Sequence, residues 1–274
     1  MFKVIGIYVN TDKDADMSCA QKIAGLLEKY GFEPLLRCSP GLEECMDTVS
    51  FIRRCEAVFV LGGDGTLLMV SKLCAVYSVP VLGINLGRVG FLSEVELSEL
   101  DGAVARLAAG DYTVEQRMLL KCTVAGEPLY ALNEIALHRR TDEHMINVRV
   151  TAGGHAVDSF YADGVLVASP TGSTAYNLSA GGPIAAPGAE VMLLTPISAH
   201  TLRARPYVFS SRDTLRVQTA EGSGVIAIDG VQLSLCGADG FTVEKAPFTA
   251  GFIRVTDKSF YQRLNSKLSE WSVK

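Results

Sequence analysis

The chain has 274 residues, 48% of them hydrophobic and 20% charged, and a formal net charge of −5. That balance fits a soluble globular protein with room for two cores, and it excludes a disordered chain. The 25 Lys and Arg residues are dispersed, with no run longer than Arg139-Arg140, so no nucleic-acid surface is expected.

Strands and helices alternate over the first hundred residues. A strand is expected at 4–9, then a helix whose Ile23, Leu26, Leu27 and Tyr30 share one face, then a short strand at 32–36. The start of the chain alternates like a strand and lacks the basic region and long apolar core of a signal peptide. No run approaches the roughly 18 apolar residues of a membrane helix. Seven cysteines, at 19, 38, 45, 55, 74, 122 and 236, include no Cys-x-x-Cys pair. They read as free thiols, so a cytoplasmic protein with no membrane association is expected.

Val58-Phe59-Val60-Leu61-Gly62-Gly63-Asp64-Gly65-Thr66 follows, four apolar residues running into three glycines within four positions. The pattern predicts a buried strand, a tight turn and a helix start carrying Leu67, Leu68, Val70, Leu73 and Cys74. Glycines let a backbone approach a polyphosphate, and a helix N-terminus offers unpaired N–H groups and positive dipole. Asp64 is the unusual member. A carboxylate beside phosphate is repelled unless it binds a metal or takes a proton from an attacking hydroxyl, which points to phosphoryl transfer. The plainer alternative is an ordinary turn with Asp64 as the helix N-cap.

Another strand is expected at 79–85, a loop at Gly87-Arg88-Val89-Gly90-Phe91-Leu92, and a helix carrying Leu97, Leu100, Val104 and Leu107. Alternating strands and helices imply a largely parallel sheet with ligands at the carboxyl ends of its strands, where Asp64 falls. The acidic residues Glu43-Glu44 and those at 94–99 read as solvated faces. From about 112 to 255 short strand-like runs replace this pattern: 119–124, 131–138, 147–151, 165–168, 191–195, 207–209, 214–219, 224–228 and 241–244. Such spacing predicts an all-β layered domain. A final helix with Tyr261, Leu264, Leu268 and Trp271 on one stripe is expected to return to the first domain. The expected division is 1–100 with 256–274, and 101–255.

The densest local signal lies at 163–183. After Asp163-Gly164 and an apolar run comes Ser169-Pro170-Thr171-Gly172-Ser173-Thr174-Ala175-Tyr176-Asn177-Leu178-Ser179-Ala180-Gly181-Gly182-Pro183. Hydroxyls and Asn177 donate and accept, and Tyr176 offers a ring for a base, so the stretch suits a nucleoside-like ligand; hydroxyl-rich connections are also common in β domains. His138 and His155 read as structural or solvated. No His, Cys and Asp grouping has metal-ligand spacing.

Together Gly62-Gly63-Asp64-Gly65-Thr66, Asn133-Glu134, residues 163–183, Leu194-Thr195-Pro196-Ile197, His200-Thr201-Leu202 and Arg205-Pro206 resemble the NAD kinases, the ATP-dependent enzymes that make NADP. The likeness extends over nearly the whole chain. Its glycine-rich turn is shared with diacylglycerol and sphingosine kinases and, in related form, with phosphofructokinases; the 163–183 stretch is specific to NAD kinases. The resemblance implies a Rossmann-like α/β domain followed by a β-sandwich domain, with the dinucleotide in a cleft between them, and a homodimer or homotetramer. It implies that Asp64 is the general base for the ribose 2′-hydroxyl and touches the dinucleotide together with Gly65. Gly62, Gly63, Gly65 and Thr66 would hold the phosphates of ATP, which arrives with a divalent cation, magnesium. Asn133 and Glu134 would hold the adenosine part; Asp163, Thr174, Ala175, Tyr176, Asn177, Leu178 and Ser179 would line the rest of the NAD pocket. His144 falls where relatives often carry a basic contact residue.

One departure stands out. Relatives commonly read Asp-Gly-Gln near the end of the β domain, whereas here the run is Asp229-Gly230-Val231-Gln232. Either Gln232 supplies that contact from a shifted register or the contact is absent, because one step along a strand turns a side chain to the other face. Two rival readings share part of the evidence. A lipid kinase of the diacylglycerol or sphingosine type would use the same turn but need an apolar entrance, and a non-catalytic dinucleotide sensor would gain nothing from Asp64 beside phosphate.

Overall fold

In the computed structural model the described residues are 2–38, 47–86, 90–142, 144–221, 223–236 and 240–272, with the backbone alone described at 221, 234–236 and 270–272. Glu43-Glu44, Cys45 and residues 87–89 of the expected loop lie outside them, as do the side chains of Cys236 and Trp271. The chain forms two compact units, one of residues 1–116 and 250–274, the other of 117–249.

The first unit runs β1 (Val4–Val9), α1 (Ser18–Lys29), β2 (Glu33–Cys38), α2 (Thr48–Arg54), β3 (Ala57–Gly62), α3 (Asp64–Val76), β4 (Val81–Asn85), the two-residue β5 (Val95–Glu96) and α4 (Leu100–Ala108). Strands order as β2-β1-β3-β4, all parallel. β3 and β4 are buried along their whole length. That follows from helices on both faces, and it explains why both strands are uninterrupted apolar runs and do not alternate. On one face Ile5, Ile7, Val9, Phe59, Leu61, Leu82 and Ile84 pack with Ile23 and Leu27 of α1 and Val104 and Leu107 of α4. α2 was not expected: seven residues with only Phe51 and Ile52 buried give too little periodicity to read.

The chain continues with β6 (Thr113–Val124), which enters the second unit at residue 117, then β7 (Glu127–Ala131), β8 (Glu134–Arg139), β9 (Ile146–Ala152), β10 (His155–Ala162), β11 (Gly164–Ala168), the single-turn α5 (Tyr176–Ser179), β12 (Val191–Ile197), β13 (Tyr207–Ser210), β14 (Leu215–Glu221), β15 (Gly224–Ile228), β16 (Val231–Cys236) and β17 (Phe241–Arg254), whose last residues, from 250, belong to the first unit. The chain then returns to the first unit with α6 (Phe260–Ser272). An antiparallel sheet ordered β13-β12-β11-β8-β15-β16 faces the antiparallel β10-β9-β14 and the start of β17. Ile135 and Leu137, Val165 and Val167, Met192 and Leu194, Ile226 and Ile228 project from alternate positions of the first sheet into a core shared with Val148, Val150, Leu215 and Val217 of the second. The intervening residues Ala136, Leu166, Ala168 and Leu193 face the other way and pack under Tyr176, Ala180 and Ala185. Thus β11 is buried on both faces, and the hydroxyl-rich stretch is laid across the sheet's outer side.

The expected strand at 131–138 is two strands, broken at Leu132 and Asn133, and β17 runs ten residues past its expected end at Glu244. Glu94 is a clear correction. It is buried, accepts Arg254 Nη1 at 2.7 Å and Thr256 N at 3.0 Å, and lies 3.4 Å from Arg263 Nη1 of α6, so it is a structural anion and not part of a solvated face. Cys19, Cys38, Cys55, Cys74 and Cys122 are free thiols.

Candidate active site

β3 delivers the chain at its carboxyl end into Gly62-Gly63, and α3 begins at Asp64 with Gly63 as its N-cap. The Asp64 carboxylate does not cap its own helix. It turns to the segment after β4 and accepts Phe91 N at 2.8 Å, Ser93 Oγ at 3.1 Å and Leu92 N at 3.4 Å. Gly90 lies so close that a Cβ there would fall 2.0–2.1 Å from the carboxylate atoms, so only glycine admits this approach. The carboxylate is therefore held in one orientation by groups outside its helix, and the N-cap alternative does not describe it.

Thr66 is fixed in turn, its Oγ1 accepting Asn10 Nδ2 at 2.8 Å. Asn10 follows β1, and its own carbonyl accepts the N–H groups of Lys13 and Asp14. This tight loop brings Lys13 Nζ within 2.8 Å of the point that a Cβ on Gly63 would occupy. An exposed ammonium thus lies over the N-terminus of α3, where the helix dipole disfavours a cation unless an anion joins them. Sequence reading missed Lys13 because it is distant in sequence from the glycine turn and belongs to no recognisable motif.

In the second unit Asp163 stands at the entry to β11. Its Oδ1 accepts Arg139 Nε at 2.7 Å and its carbonyl accepts Arg139 N at 2.8 Å. Tyr176 opens α5, and its ring stacks on His138 with centroids 5.7 Å apart. Burial raises the Tyr176 hydroxyl above its ordinary value, and the negative charges of Glu134 and Asp163 add to the effect. Burial alone holds the His138 imidazole below the ordinary histidine range. His138, Arg139, Asp163, Tyr176 and Ser198 line an open hollow of about 390 Å³. His138 is thus a half-buried ring against a candidate ligand residue, a role its place in the sequence did not reveal.

Asn177 is fully buried, and its amide is engaged with protein groups: Nδ2 donates to Pro183 O at 3.0 Å and Oδ1 accepts Thr195 Oγ1 at 2.7 Å. Its side chain locks the stretch to β12. Thr174 is buried, with Oγ1 on Thr171 O at 3.3 Å; Ala175 and Leu178 are half-buried and Ser179 is exposed. Asn133 lies in the break before β8 and Glu134, which is buried, opens that strand. His144 is exposed just before β9, with no hydrogen bond or ion pair to the other candidates among the described residues. Gln232 is exposed on β16, paired with Ala227 beside an irregularity between Ile226 and Ala227.

Residues 46–112 match the model of the ATP-NAD kinase N-terminal domain and residues 132–255 that of the ATP-NAD kinase C-terminal domain. The chain is 38% identical to the NAD kinase of Heliobacterium modesticaldum, over 97% of this chain and 98% of that one. It belongs to the NAD kinase family. The NAD kinase of Methanopyrus kandleri is likewise 38% identical, over 98% of each chain. Among solved structures, an Archaeoglobus fulgidus NAD kinase in complex with ATP superposes with a TM-score of 0.79 at 26% identity, covering 97% of this chain and 98% of that one. The fold is also that of a yeast NADH kinase, with a TM-score of 0.82 at 23% identity over 98% of this chain and 88% of that one. The two matched regions include both the glycine turn of the first unit and the hydroxyl-rich stretch of the second.

Proposed function

We infer that this chain is an NAD kinase, transferring the γ-phosphoryl of ATP to the 2′-hydroxyl of the adenosine ribose of NAD to make NADP. The observation that carries the mechanism is the Asp64 carboxylate, held by Phe91, Leu92 and Ser93 at the mouth of a phosphate-binding turn. A capping aspartate would face its own helix. Asp64 accepts the ribose proton as the hydroxyl attacks, and Gly62, Gly63, Gly65 and Thr66 with the N-terminus of α3 hold the donor phosphates. Lys13 adds a positive charge on the same side. Asn133 and Glu134 take the adenosine part of NAD. Asp163 and the segment of Thr174, Ala175, Tyr176, Asn177, Leu178 and Ser179 take the remainder, Asn177 by holding that segment in place, and His144 adds a basic contact.

Magnesium belongs to this reading as a companion of ATP. Among the described residues no three His, Cys, Asp or Glu side chains are gathered to cage an ion. A hard cation that keeps phosphate oxygens and water as its main ligands fits such a site, with Asp64 as a protein carboxylate within its turn. Bound there, such an ion would supply positive charge to offset that of the phosphates.

The same reading makes the protein a cytoplasmic homodimer or homotetramer. Among the described residues no helix is long and apolar enough to cross a membrane. The edge strands β13 and β16 expose Val208, at 59%, and Val231 and Leu233, at 59% and 49%. Unpaired apolar edges call for a cover, and a second copy of the chain supplies one.

Incubation with MgATP and, in parallel, NAD, NADH or diacylglycerol tests the function, with the phosphorylated product identified. NADP from NAD is the expected product; a phosphorylated lipid, or no turnover of either dinucleotide, overturns it.

A further inference from the structure

The break between β7 and β8 is held from two sides. On one, the Asp229 carboxylate accepts three consecutive backbone donors: Asn133 N at 2.8 Å, Glu134 N at 3.1 Å and Leu132 N at 3.1 Å. Asp229 N also donates to Glu134 O at 2.9 Å. On the other, Ser169 N donates to Asn133 O at 2.8 Å and Ser169 Oγ donates to Leu132 O. Gly172 completes the clamp, since a Cβ there would fall 2.1 Å from Asn133 O. All three N–H groups of 132–134 and their three carbonyls thus have partners, and the backbone beneath the Asn133 and Glu134 side chains is fixed. Asp229 can reach it because it occupies the left-handed region, φ 49°, ahead of Gly230 at φ 79°, in the two-residue loop joining β15 to β16. Asp is among the few residues with a side chain that tolerate that conformation.

We propose that Asp229 is a positioning residue for NAD recognition: its carboxylate sets Asn133 and Glu134, and the β15–β16 hairpin acts on the dinucleotide through this carboxylate, with no contact from Gln232. The inference rests on the NAD kinase reading above. Three N–H groups converging on one carboxylate form a charge-assisted nest, stronger than the same donors shared among neutral acceptors. An amide at this position keeps one acceptor oxygen but turns an NH2 toward an N–H, and the break before β8 loosens. Gln232 is exposed one step beyond the register of the family pattern, so its side chain plays no part.

The test compares the full chain with Asp229→Asn and Gln232→Ala, and places Asp229→Asn also in an Asn133→Ala/Glu134→Gln background. NAD affinity by titration, KM for NAD, KM for ATP and Tm are measured for each. Asp229→Asn is expected to weaken NAD binding and raise its KM by about tenfold, with KM for ATP within about twofold. In the doubly substituted background the same change should cost little, since coupled residues are not additive. Gln232→Ala should leave NAD affinity within about twofold. If Asp229→Asn leaves NAD affinity unchanged, or costs the same in both backgrounds, the positioning role is wrong; a large loss with Gln232→Ala overturns the second half. Should Asp229→Asn fail to fold, hydrogen exchange on the unsubstituted chain decides. The amides of Leu132, Asn133 and Glu134 should exchange slowly without NAD and more slowly with it, and exchange at the rate of exposed amides refutes the clamp. NADP formation by the unsubstituted chain reports on the function separately, so loss of the Asp229 role alone leaves that reading standing.

Discussion

At Asp64 geometry and chemistry can be separated by substitution. Asn fills the same volume and still offers an oxygen to Phe91 N, so Asp64→Asn should keep the fold and NAD affinity while turnover falls by about two to four powers of ten. Steady-state kinetics, an NAD titration and a melting curve on the same variant decide between a base and a structural acceptor. His138 offers a test by pH. Its imidazole is neutral in folded and unfolded chains at high pH; as pH falls, the unfolded chain takes the proton first, because burial depresses the folded value. Stability from this group is therefore lost as pH drops through the ordinary histidine range and on through the folded value. The Tm of the unsubstituted chain should fall more steeply between about pH 7 and pH 5 than that of His138→Gln.

Among elements, the loop after β1 and helix α6 show what sequence order conceals. Lys13 reaches Gly63 only because Asn10 ties the loop to Thr66. Lys13→Met is expected to raise KM for ATP about tenfold with KM for NAD little changed, and Lys13→Arg to recover part of it; equal ATP parameters in all three would remove Lys13 from the donor site. Glu94 joins the segment after β4 to β17 and α6 through Arg254 and Arg263. Glu94→Gln leaves the buried Arg254 with Glu115 alone, and denaturant unfolding should show a loss of about 3 kcal/mol. These contacts mark the limit of what was legible in the sequence. β3, β4 and β11 could be read because burial on both faces leaves an uninterrupted apolar run. The turn and helix start at Asp64 could be read because glycines surround it. Glu94 looked solvated because its partner Arg254 lies 160 positions away, and no local pattern signals such a pair. The role of Asp229 was hidden for the same reason, its acceptor function being exercised on backbone 95–97 positions distant.

For the molecule as a whole, the second unit is one continuous stretch, 117–249, whereas the first is assembled from 1–116 and 250–274. The later segment supplies Ile253 and Val255 to the first core and Arg254 to Glu94. A fragment of residues 117–249 should therefore fold by itself, with cooperative unfolding and its own Tm, while a fragment of residues 1–116 should show neither. Light scattering at micromolar concentration on the intact chain is expected to give at least the mass of a dimer; a monomer would leave the edges of β13 and β16 without the proposed cover.

The return of β17 and α6 to the first unit also sets an order of events during synthesis. Domains commonly mature on the ribosome from the N-terminus onward. Here the segment that completes the first unit is made last, so residues 1–116 must wait, with the apolar face meant for Ile253 and Val255 uncovered, until the whole of the β-sandwich has been translated. The later unit is thus positioned to mature first. A stop codon placed directly after residue 249 should therefore yield a chain whose first unit is cleared by proteolysis while the second persists.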